Sequence, residues 1–392
     1  MRRIGTAERR ARLAVRHSLA RPARTVDLAA QGMVGLHSSD PSTVYLSARA
    51  RVGRFDPADL EDTLYEHRSL VRMLGMRRTL FVVPRDVAAS MQAACTTALA
   101  PAERARLVRM LEGQGIARKG RGGRWLDRVA DRTFDALAAR GEATARELTK
   151  DVPELGEKIA FGEGKSWAGT MGVSTRVLFL LATEGRVVRA RPVGRWTSAQ
   201  YRWAPTERWL GGPLPRPSRA AAAADLLARY LRTFGPASTT DVRWWTGWTA
   251  GLASSTLRAL GAVEVELDEG VGYVLPDDLE PPRRIGSWIA LLPGLDPTVM
   301  GWKERSWFLG EHADALFDRN GNAGPTVWAN GRVVGGWTQH RGGDVLVELL
   351  EEVDTRTRRA IDAERERLRD WLGEVRIVSR FRTPLEKALA GR

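Results

Sequence analysis

The 392-residue sequence has little cysteine and little histidine. The single cysteine, Cys95, excludes an internal disulfide framework and fits a reducing compartment. It lies among Ala and Met residues, which predicts a small core residue. The five histidines show no metal-ligand spacing and have no cysteine partners. We therefore expect neither a zinc site nor another cofactor.

Long apolar runs are missing as well. No stretch approaches the roughly 18 consecutive apolar residues that a membrane helix needs. The segment that begins at Met1 lacks the apolar centre of a signal peptide. The sequence therefore predicts a cytoplasmic protein with no membrane partner, and its length predicts about two to four domains.

Lysine is scarce, since only six of the 61 Lys and Arg residues are Lys. The net charge is nevertheless +14, and residues 1–130 contain 24 basic residues and 12 acidic ones. A high-GC coding bias would favour Arg over Lys along the whole chain, but it does not explain this uneven distribution. A basic face directed at a polyanion, most simply nucleic acid, explains it better.

Helices followed by a two-stranded hairpin recur three times, which is the plan of a winged helix. The hairpins are predicted over residues 69–84, 186–205 and 262–276. The helices are predicted at 7–20, 21–32, 58–67, 124–141, 166–184, 218–235 and 249–260, with one more after Asp40-Pro41. Arg9, Arg12 and Arg16 are placed on the outer face of the first helix. These patterns predict an α+β protein with three tandem winged-helix units.

A capping-box pattern marks the second helix of each unit and supports the repeat. It reads Thr144-x-x-Glu147 in the second copy and Ser238-x-x-Asp241 in the third, and the first copy has Arg24-x-x-Asp27. The long and unequal spacing of the copies argues against a solenoid.

Residues 285–392 change to a β-rich pattern. Strand-like runs lie at 287–302, 326–337 and 344–353, and a charged helix is predicted at 355–373. An Asn330-Gly331 turn in the second run is a strong hairpin signal. We expect a small β-barrel or sheet covered by a helix, and the predicted domains are residues 1–115, 116–212, 213–284 and 285–392.

Two familiar motifs are missing. GEGKS at 162–166 resembles part of a P-loop, but Ile159 stands where that motif requires its first glycine. No GxSxG nucleophile motif is present. For Trp244, Trp245 and Trp248 we favour packing in the core or between domains over stacking on bases.

Potential acid/base and hydrogen-bonding side chains crowd into residues 35–52, GLHSSDPSTVYLSARARV. In one interpretation Ser39 or Asp40 caps a helix and His37 is a partly buried loop residue. In the other, this cluster carries chemistry.

Arginines of the first predicted hairpin are the leading candidates for DNA contacts, because wings approach the DNA backbone or minor groove and Arg suits both. They are Arg72, Arg77 and Arg78. Arg380 and Arg382 either line a phosphate path or form a solvated face. The remaining candidates are Arg49, Arg51 and Thr79.

Four segments resemble the winged-helix DNA glycosylases of the AlkZ and YcaQ type. They are GLHSSDPSTVYLSARARV (35–52), MRRTLFVVP (76–84), LLPGLDPTVMGWKER (291–305) and NGRVVGGW (330–337). The resemblance implies a C-shaped body with a basic channel for double-stranded DNA and a monomeric, nucleoid-associated protein. It also implies hydrolytic release of N7-alkylated purines, including bulky adducts and interstrand crosslinks.

Family catalysis rests on a Gln-apolar-Gln or Gln-apolar-Asp triplet directly after Gly-Leu, and this chain has His37, Ser38 and Ser39 at those positions. A neutral imidazole at His37 can orient or deprotonate a water, with Ser39 as a second acceptor and Asp40 as a source of negative charge. The first lysine of the chain is Lys119, which disfavours a Schiff-base lyase. The alternative is a non-catalytic DNA-binding protein, either a transcription regulator or a damage sensor.

Overall fold

The computed structural model describes residues 1–162, 164–165, 168–379 and 382–391. Its first part combines short helices with an antiparallel hairpin. The elements are β1 (Arg2–Arg3), α1 (Thr6–Arg16), α2 (Val26–Gly32), β2 (Leu36–His37), α3 (Pro41–Arg49), α4 (Pro57–Glu61), β3 (Leu70–Leu74), β4 (Leu80–Pro84) and α5 (Arg85–Met91). The hairpin predicted at 69–84 is confirmed by β3 and β4. The helix predicted after Asp40-Pro41 is confirmed by α3.

The second part adds two hairpins. Its elements are α6 (Ala100–Gly113), α7 (Gly122–Arg140), β5 (Ala143–Thr144), α8 (Ala145–Asp151), β6 (Lys158–Phe161), β7 (Gly169–Gly172), α9 (Val173–Thr183), β8 (Val187–Pro192), β9 (Tyr201–Pro205) and α10 (Thr206–Leu210). The hairpin predicted at 186–205 is confirmed. The helix predicted to start at 166 was wrong at that end: it begins at Val173, because Gly169 and Gly172 belong to the β6–β7 hairpin.

The rest of the chain contains the third hairpin and the β-rich end. Its elements are α11 (Arg219–Phe234), α12 (Thr239–Thr246), α13 (Ala250–Ala259), β10 (Val263–Leu267), β11 (Gly270–Val274), β12 (Ile289–Leu292), α14 (Ser306–Leu309), α15 (Ala313–Leu316), β13 (Thr326–Ala329), β14 (Arg332–Gln339), β15 (Val345–Leu349), α16 (Thr355–Leu372) and α17 (Pro384–Ala390). The capping boxes at Thr144 and Ser238 are confirmed. The first copy has none: α2 is capped by Thr25, because Arg24 carries no side-chain acceptor.

The sheets connect parts of the chain that the sequence predicted separately. The first and second predicted wings share one six-stranded sheet of order β2-β4-β3-β8-β9-β5, joined where Arg72 pairs with Arg189. The third hairpin pairs with β1. The C-terminal strands form an open sheet of order β12-β13-β14-β15, and the structure shows this sheet, not a closed barrel. The fold is mixed α+β.

The first helix is packed differently from the prediction. Arg9 and Arg12 are buried, and they pair with Glu269 and with Glu8 and Asp278. They were expected to face solvent, but α1 lies against the third hairpin and their charges are neutralised there. A part of the basic excess of residues 1–130 is therefore internal.

Candidate active site

The approach to the predicted triplet is tightly packed. Val34, which is fully buried, has a φ of 61°, a conformation that a β-branched residue rarely adopts. A Cβ on Gly35 would lie 2.6 Å from Cγ1 of Val83 and 3.2 Å from the carbonyl oxygen of Val82. Glycine at position 35 thus lets the chain run directly against β4, which fixes the position of the residues that follow.

The triplet itself is held by β4. Leu36 pairs with Val82 and His37 with Phe81 in an antiparallel register. The Ser38 amide then donates to the Leu80 carbonyl over 2.8 Å, and the Leu80 amide donates to Oγ of Ser39 over 3.3 Å. His37 and Ser39 are therefore held by hydrogen bonds to the backbone at the start of β4.

His37 is buried and neutral. Its ring lies edge-on to Phe81, with 5.3 Å between the centroids. Burial, reinforced by the positive charge of Arg77, lowers the pKa of His37 to about 3. The backbone amide of Ser39 donates to Nδ1 over 3.4 Å. Because Nδ1 accepts, the single proton of the neutral ring belongs on Nε2, so His37 offers a donor at that atom.

The other polar groups of the cluster differ in their partners. Ser38 is 1% exposed, and its Oγ has no hydrogen-bond partner among the described residues. Asp40 caps α3: its Oδ1 accepts from the Ser42 amide over 2.9 Å and from the Ser42 hydroxyl over 2.6 Å. The capping interpretation therefore holds for Asp40, while Ser39 is bonded to β4.

Ser39 lines a pocket of about 230 Å³. Its walls include the guanidinium-bearing residues Arg78 and Arg189 and the rings of Phe179 and Trp203. The last three also line a groove of about 870 Å³ that extends along α8 and β9. No local sequence pattern identifies Phe179, Arg189 or Trp203 as site residues, because only the non-local pairing of β3 with β8 brings them to Ser39.

The turn of the first hairpin carries two adjacent arginines in the left-handed region. The φ angles are 51° at Arg77 and 65° at Arg78, and the Thr79 amide donates to the Met76 carbonyl over 3.0 Å. This pattern matches the two-residue turns with two positive φ angles that favour Asn and Gly. Arg78 is exposed and pairs with Glu103. The Thr79 hydroxyl donates to the Met76 carbonyl within the turn.

For three of the predicted DNA contacts, burial of the side chain argues against the prediction. Arg51 is 0% exposed and is held by both carboxylate oxygens of Asp296 at 2.9 and 2.6 Å, so it cannot reach a ligand. Arg72 is 1% exposed and stacks 4.6 Å from the ring centre of Tyr201, so it lines the pocket without projecting from the wing. Arg49 pairs with Glu364 at 2.6 Å and is also largely enclosed.

The C-terminal candidates are only partly described. Arg382 is exposed just before α17. Arg380 lies outside the described residues, as does Phe381 beside it.

Two other properties of the described chain bear on its function. Within the described ranges, no group of three His, Cys, Asp or Glu side chains is arranged to hold a metal ion. No helix in that part of the chain is long and apolar enough to cross a membrane.

Comparison with known proteins gives a family and a fold. Residues 30–371 match the family model of the AlkZ-like DNA glycosylases. The DNA glycosylase AlkZ of Streptomyces sahachiroi has a similar structure, with a TM-score of 0.72 and 19% sequence identity over 94% of this chain and 97% of that one. No curated protein matches. The match over most of its length places this chain in the AlkZ-like DNA glycosylase family.

Proposed function

We propose that the chain is a monofunctional DNA glycosylase that hydrolyses the N-glycosidic bond of N7-alkylated purines, including bulky adducts and interstrand crosslinks. One observation carries the proposal: in a chain that belongs to this family, His37 pairs with β4 and Ser39 is hydrogen-bonded to that strand. Its partner is double-stranded DNA. The finer expectations belong to the same proposal: three winged-helix units, a C-shaped body with a basic channel, and a monomeric cytoplasmic protein associated with the nucleoid.

The chemistry needs little acid catalysis. An N7-alkylated purine is cationic, so it leaves with the electron pair of the glycosidic bond without protonation by the enzyme. The sugar then develops oxocarbenium character, and the protein must place a water and stabilise positive charge. In this proposal Nε2–H of His37 donates to the water oxygen and Oγ of Ser39 accepts one of the water protons. The water oxygen bonds to the anomeric carbon, and the proton that it loses passes to solvent.

The neutral imidazole sharpens the role of His37. With Nδ1 bonded to the Ser39 amide, the ring orients the water through a donor and is not the group that removes its proton. Asp40 supplies negative charge at the N-terminus of α3, where it also caps the helix.

Base release by the variants of His37 tests the proposal. Duplex DNA containing N7-methylguanine, or an interstrand crosslink, is incubated with the wild type, His37→Ala and His37→Gln, and the free base is measured by mass spectrometry. We expect His37→Ala to lose about a hundredfold to a thousandfold in rate, consistent with the loss of a single preorganised donor. His37→Gln keeps an N–H donor and is expected to retain most activity. No release by the wild type, or full release by His37→Ala, contradicts the assignment.

A non-catalytic DNA-binding protein is the second candidate, because His37 is 4% exposed and Asp40 is used as a helix cap. It predicts salt-dependent binding without base release. Protection of one sequence in a footprint identifies a regulator, and tighter binding to alkylated DNA identifies a damage sensor.

A further inference from the structure

Trp244 on α12 contacts two arginines from distant parts of the chain. The guanidinium carbon of Arg77, in the turn of the first hairpin, is 3.9 Å from the ring centre of Trp244. That of Arg305, the last residue of the segment LLPGLDPTVMGWKER, is 4.7 Å from the same ring. Arg305 also stacks on Phe317 at 4.7 Å. Three regions of the fold thus meet at one aromatic side chain.

These two cations have no carboxylate of their own. The ion pairs formed within the described residues include neither Arg77 nor Arg305, although the adjacent Arg78 is paired with Glu103. Nε of Arg77 is buried without a hydrogen bond, and Nε of Arg305 donates to the Trp302 carbonyl. The terminal guanidinium nitrogens of both are left for an external acceptor. Two like charges held together without an acid are a typical arrangement for binding an anion.

Asp241, the carboxylate that acts electrostatically on Arg305, already accepts hydrogen bonds from other groups. Asp241 is buried, and one of its oxygens accepts from the backbone amides of Lys303 and Glu304 over 2.7 and 2.9 Å. The other accepts from the amide and hydroxyl of Ser238. Burial and the neighbouring Arg77 lower the pKa of Arg305 to about 10, so it stays charged at neutral pH. The positive charge of the pair is therefore only partly offset.

The backbone is built to hold Arg77 in this place. Its φ of 51° is unusual for a residue other than glycine, and such conformations persist mainly where the side chain is needed. Gly247, which ends α12 with a φ of 75°, lies beside the arginine stem: a Cβ there would be 3.4 Å from Cγ of Arg77, an ordinary contact distance, so Arg77 packs against the end of α12.

The pair lies close to His37. Arg77 acts electrostatically on the His37 ring, and Phe81, which pairs with His37, is only four residues further along the chain. Strand residues advance by about 3.3 Å each, which places Arg77 no more than roughly 13 Å along the chain from the paired position. One DNA strand rises about 3.4 Å per nucleotide. An anion held by the pair is therefore about four nucleotides or fewer from a base at His37.

We infer that Arg77 and Arg305, stacked on Trp244, together bind a single phosphodiester of the DNA strand within about four nucleotides of the altered base. The inference rests on the DNA partner of the proposed function and not on the hydrolytic step. The two guanidinium groups bind one phosphate, and their contact with the ring of Trp244 holds them in position.

The salt dependence of DNA binding tests this clamp. Fluorescence anisotropy with a labelled duplex is measured between 50 and 300 mM salt for the full chain, Arg77→Gln, Arg305→Gln, the double variant and Arg358→Gln. Arg358 is exposed on α16 and forms no ion pair within the described residues, so it is the matched control. Each lost phosphate contact lowers the slope of log K against log salt by about 0.9. We expect that change in both single variants and no further change in the double variant.

A second measurement changes the DNA, so its result for the wild type does not depend on the folding of the variants. Single phosphates of the duplex are replaced in turn by neutral methylphosphonates, and the wild type is expected to lose affinity at one position near the altered base. The double variant is expected to be insensitive at that position. Unchanged slopes, a double variant that loses two contacts, or a uniform methylphosphonate profile would overturn the clamp. Tight calorimetric binding of inorganic phosphate alone would overturn it as well, because it identifies a free-anion site.

The two proposals fail in different ways. Base release with unchanged slopes leaves the glycosylase assignment and removes the clamp. Reduced slopes without base release leave the clamp and remove the glycosylase assignment.

Discussion

At the scale of single residues, the structure keeps two histidines neutral inside the protein. Burial lowers the pKa of both His17 and His37 to about 3, with Arg51 and Arg77 respectively adding to the effect. Nδ1 of His17 lies 2.9 Å from Oγ1 of Thr298, next to the buried pair of Arg51 and Asp296. Neither ring can accept a proton without cost while the protein is folded.

The lowered pKa of both histidines predicts that the folded protein loses stability in mild acid. In the unfolded chain they titrate near 6.5, so between about pH 3 and 6.5 the unfolded state binds more protons. Their contribution is complete above about pH 6.5 and is lost as the pH falls. We expect each to account for about 2 kcal/mol of the decrease in the free energy of unfolding between pH 7.5 and 5. In His17→Asn, urea unfolding at the two pH values should show a decrease smaller by that amount.

The control is His67→Asn. His67 is exposed and pairs with Asp62 on the surface, so this variant removes an imidazole that is not buried. If His17→Asn and the wild type lose the same free energy between the two pH values, the buried His17 is not the cause.

At the scale of elements, β2 is the junction that carries the candidate site. It pairs with β4 over only two residues, and the side chains around Gly35 leave no space for a methyl group. The strained turn at Arg77 and Arg78 directly precedes β4, at the end where Leu80 is hydrogen-bonded to Ser38 and Ser39. One strand therefore connects the triplet to the proposed phosphate contact.

Gly35→Ala is predicted to separate β2 from β4. The new Cβ would approach Val83 to 2.6 Å, and overpacking of this kind costs about 1–3 kcal/mol. We expect the free energy of unfolding to fall by this amount and base release to fall at least tenfold, while DNA affinity changes little. Gly5→Ala is the control, because nothing lies within 4 Å of the Cβ position there. Wild-type base release by Gly35→Ala would show that the packing of β2 does not matter.

The elements themselves were largely predictable because their signals are local. Turn residues such as Asn330-Gly331 and caps such as Thr144 and Ser238 fix the ends of strands and helices within a few residues. The β6–β7 hairpin was missed, because its short strands resembled the start of the helix that follows.

At the scale of the whole molecule, a buried network connects α3 to the C-terminal part. Asp296 binds Arg51 through both oxygens and also accepts from the Ser47 hydroxyl and the Thr298 amide. Arg51 in turn donates to Oγ1 of Thr298. The helix that follows the triplet is thereby attached to a segment 249 residues further along the chain, since Ser47 is bonded to Asp296.

Removing one partner of this network should be costly. Asp296→Asn leaves the Arg51 charge buried and unpaired, for which we expect a loss of about 3–5 kcal/mol in the free energy of unfolding. The double variant Arg51→Met, Asp296→Leu should lose less than the single variant, because no isolated charge remains. Urea unfolding measures both.

Glu154→Gln is the control for charge removal. It breaks the exposed pair with Arg132, and such pairs contribute about 0–1 kcal/mol. Equal losses in Asp296→Asn and Glu154→Gln would mean that burial does not set the value of the pair.

Sequence patterns could not predict which residues from distant parts of the chain come into contact. The resemblance in residues 35–52 indicated the position of His37 and Ser39. Arg51 was instead predicted to contact DNA, because its buried partner Asp296 is far away in the sequence and no local pattern reveals the pair. In the same way, the pairing of Trp244 with Arg77 and Arg305 depends on three remote segments. Charge counts predict a basic protein but not which arginines are already paired inside it.

The sheet shared by the β3–β4 and β8–β9 hairpins sets the smallest piece that can be exchanged or expressed. A fragment that ends at residue 115 would leave β3 with an unpaired edge, since β8 normally covers it at Arg72 and Arg189. Hybrids between this chain and its relatives should therefore be joined between α10 and α11, at residues 211–218, and not between these two hairpins. Inheritance of the pocket beside Ser39 then requires both hairpins to come from the same parent.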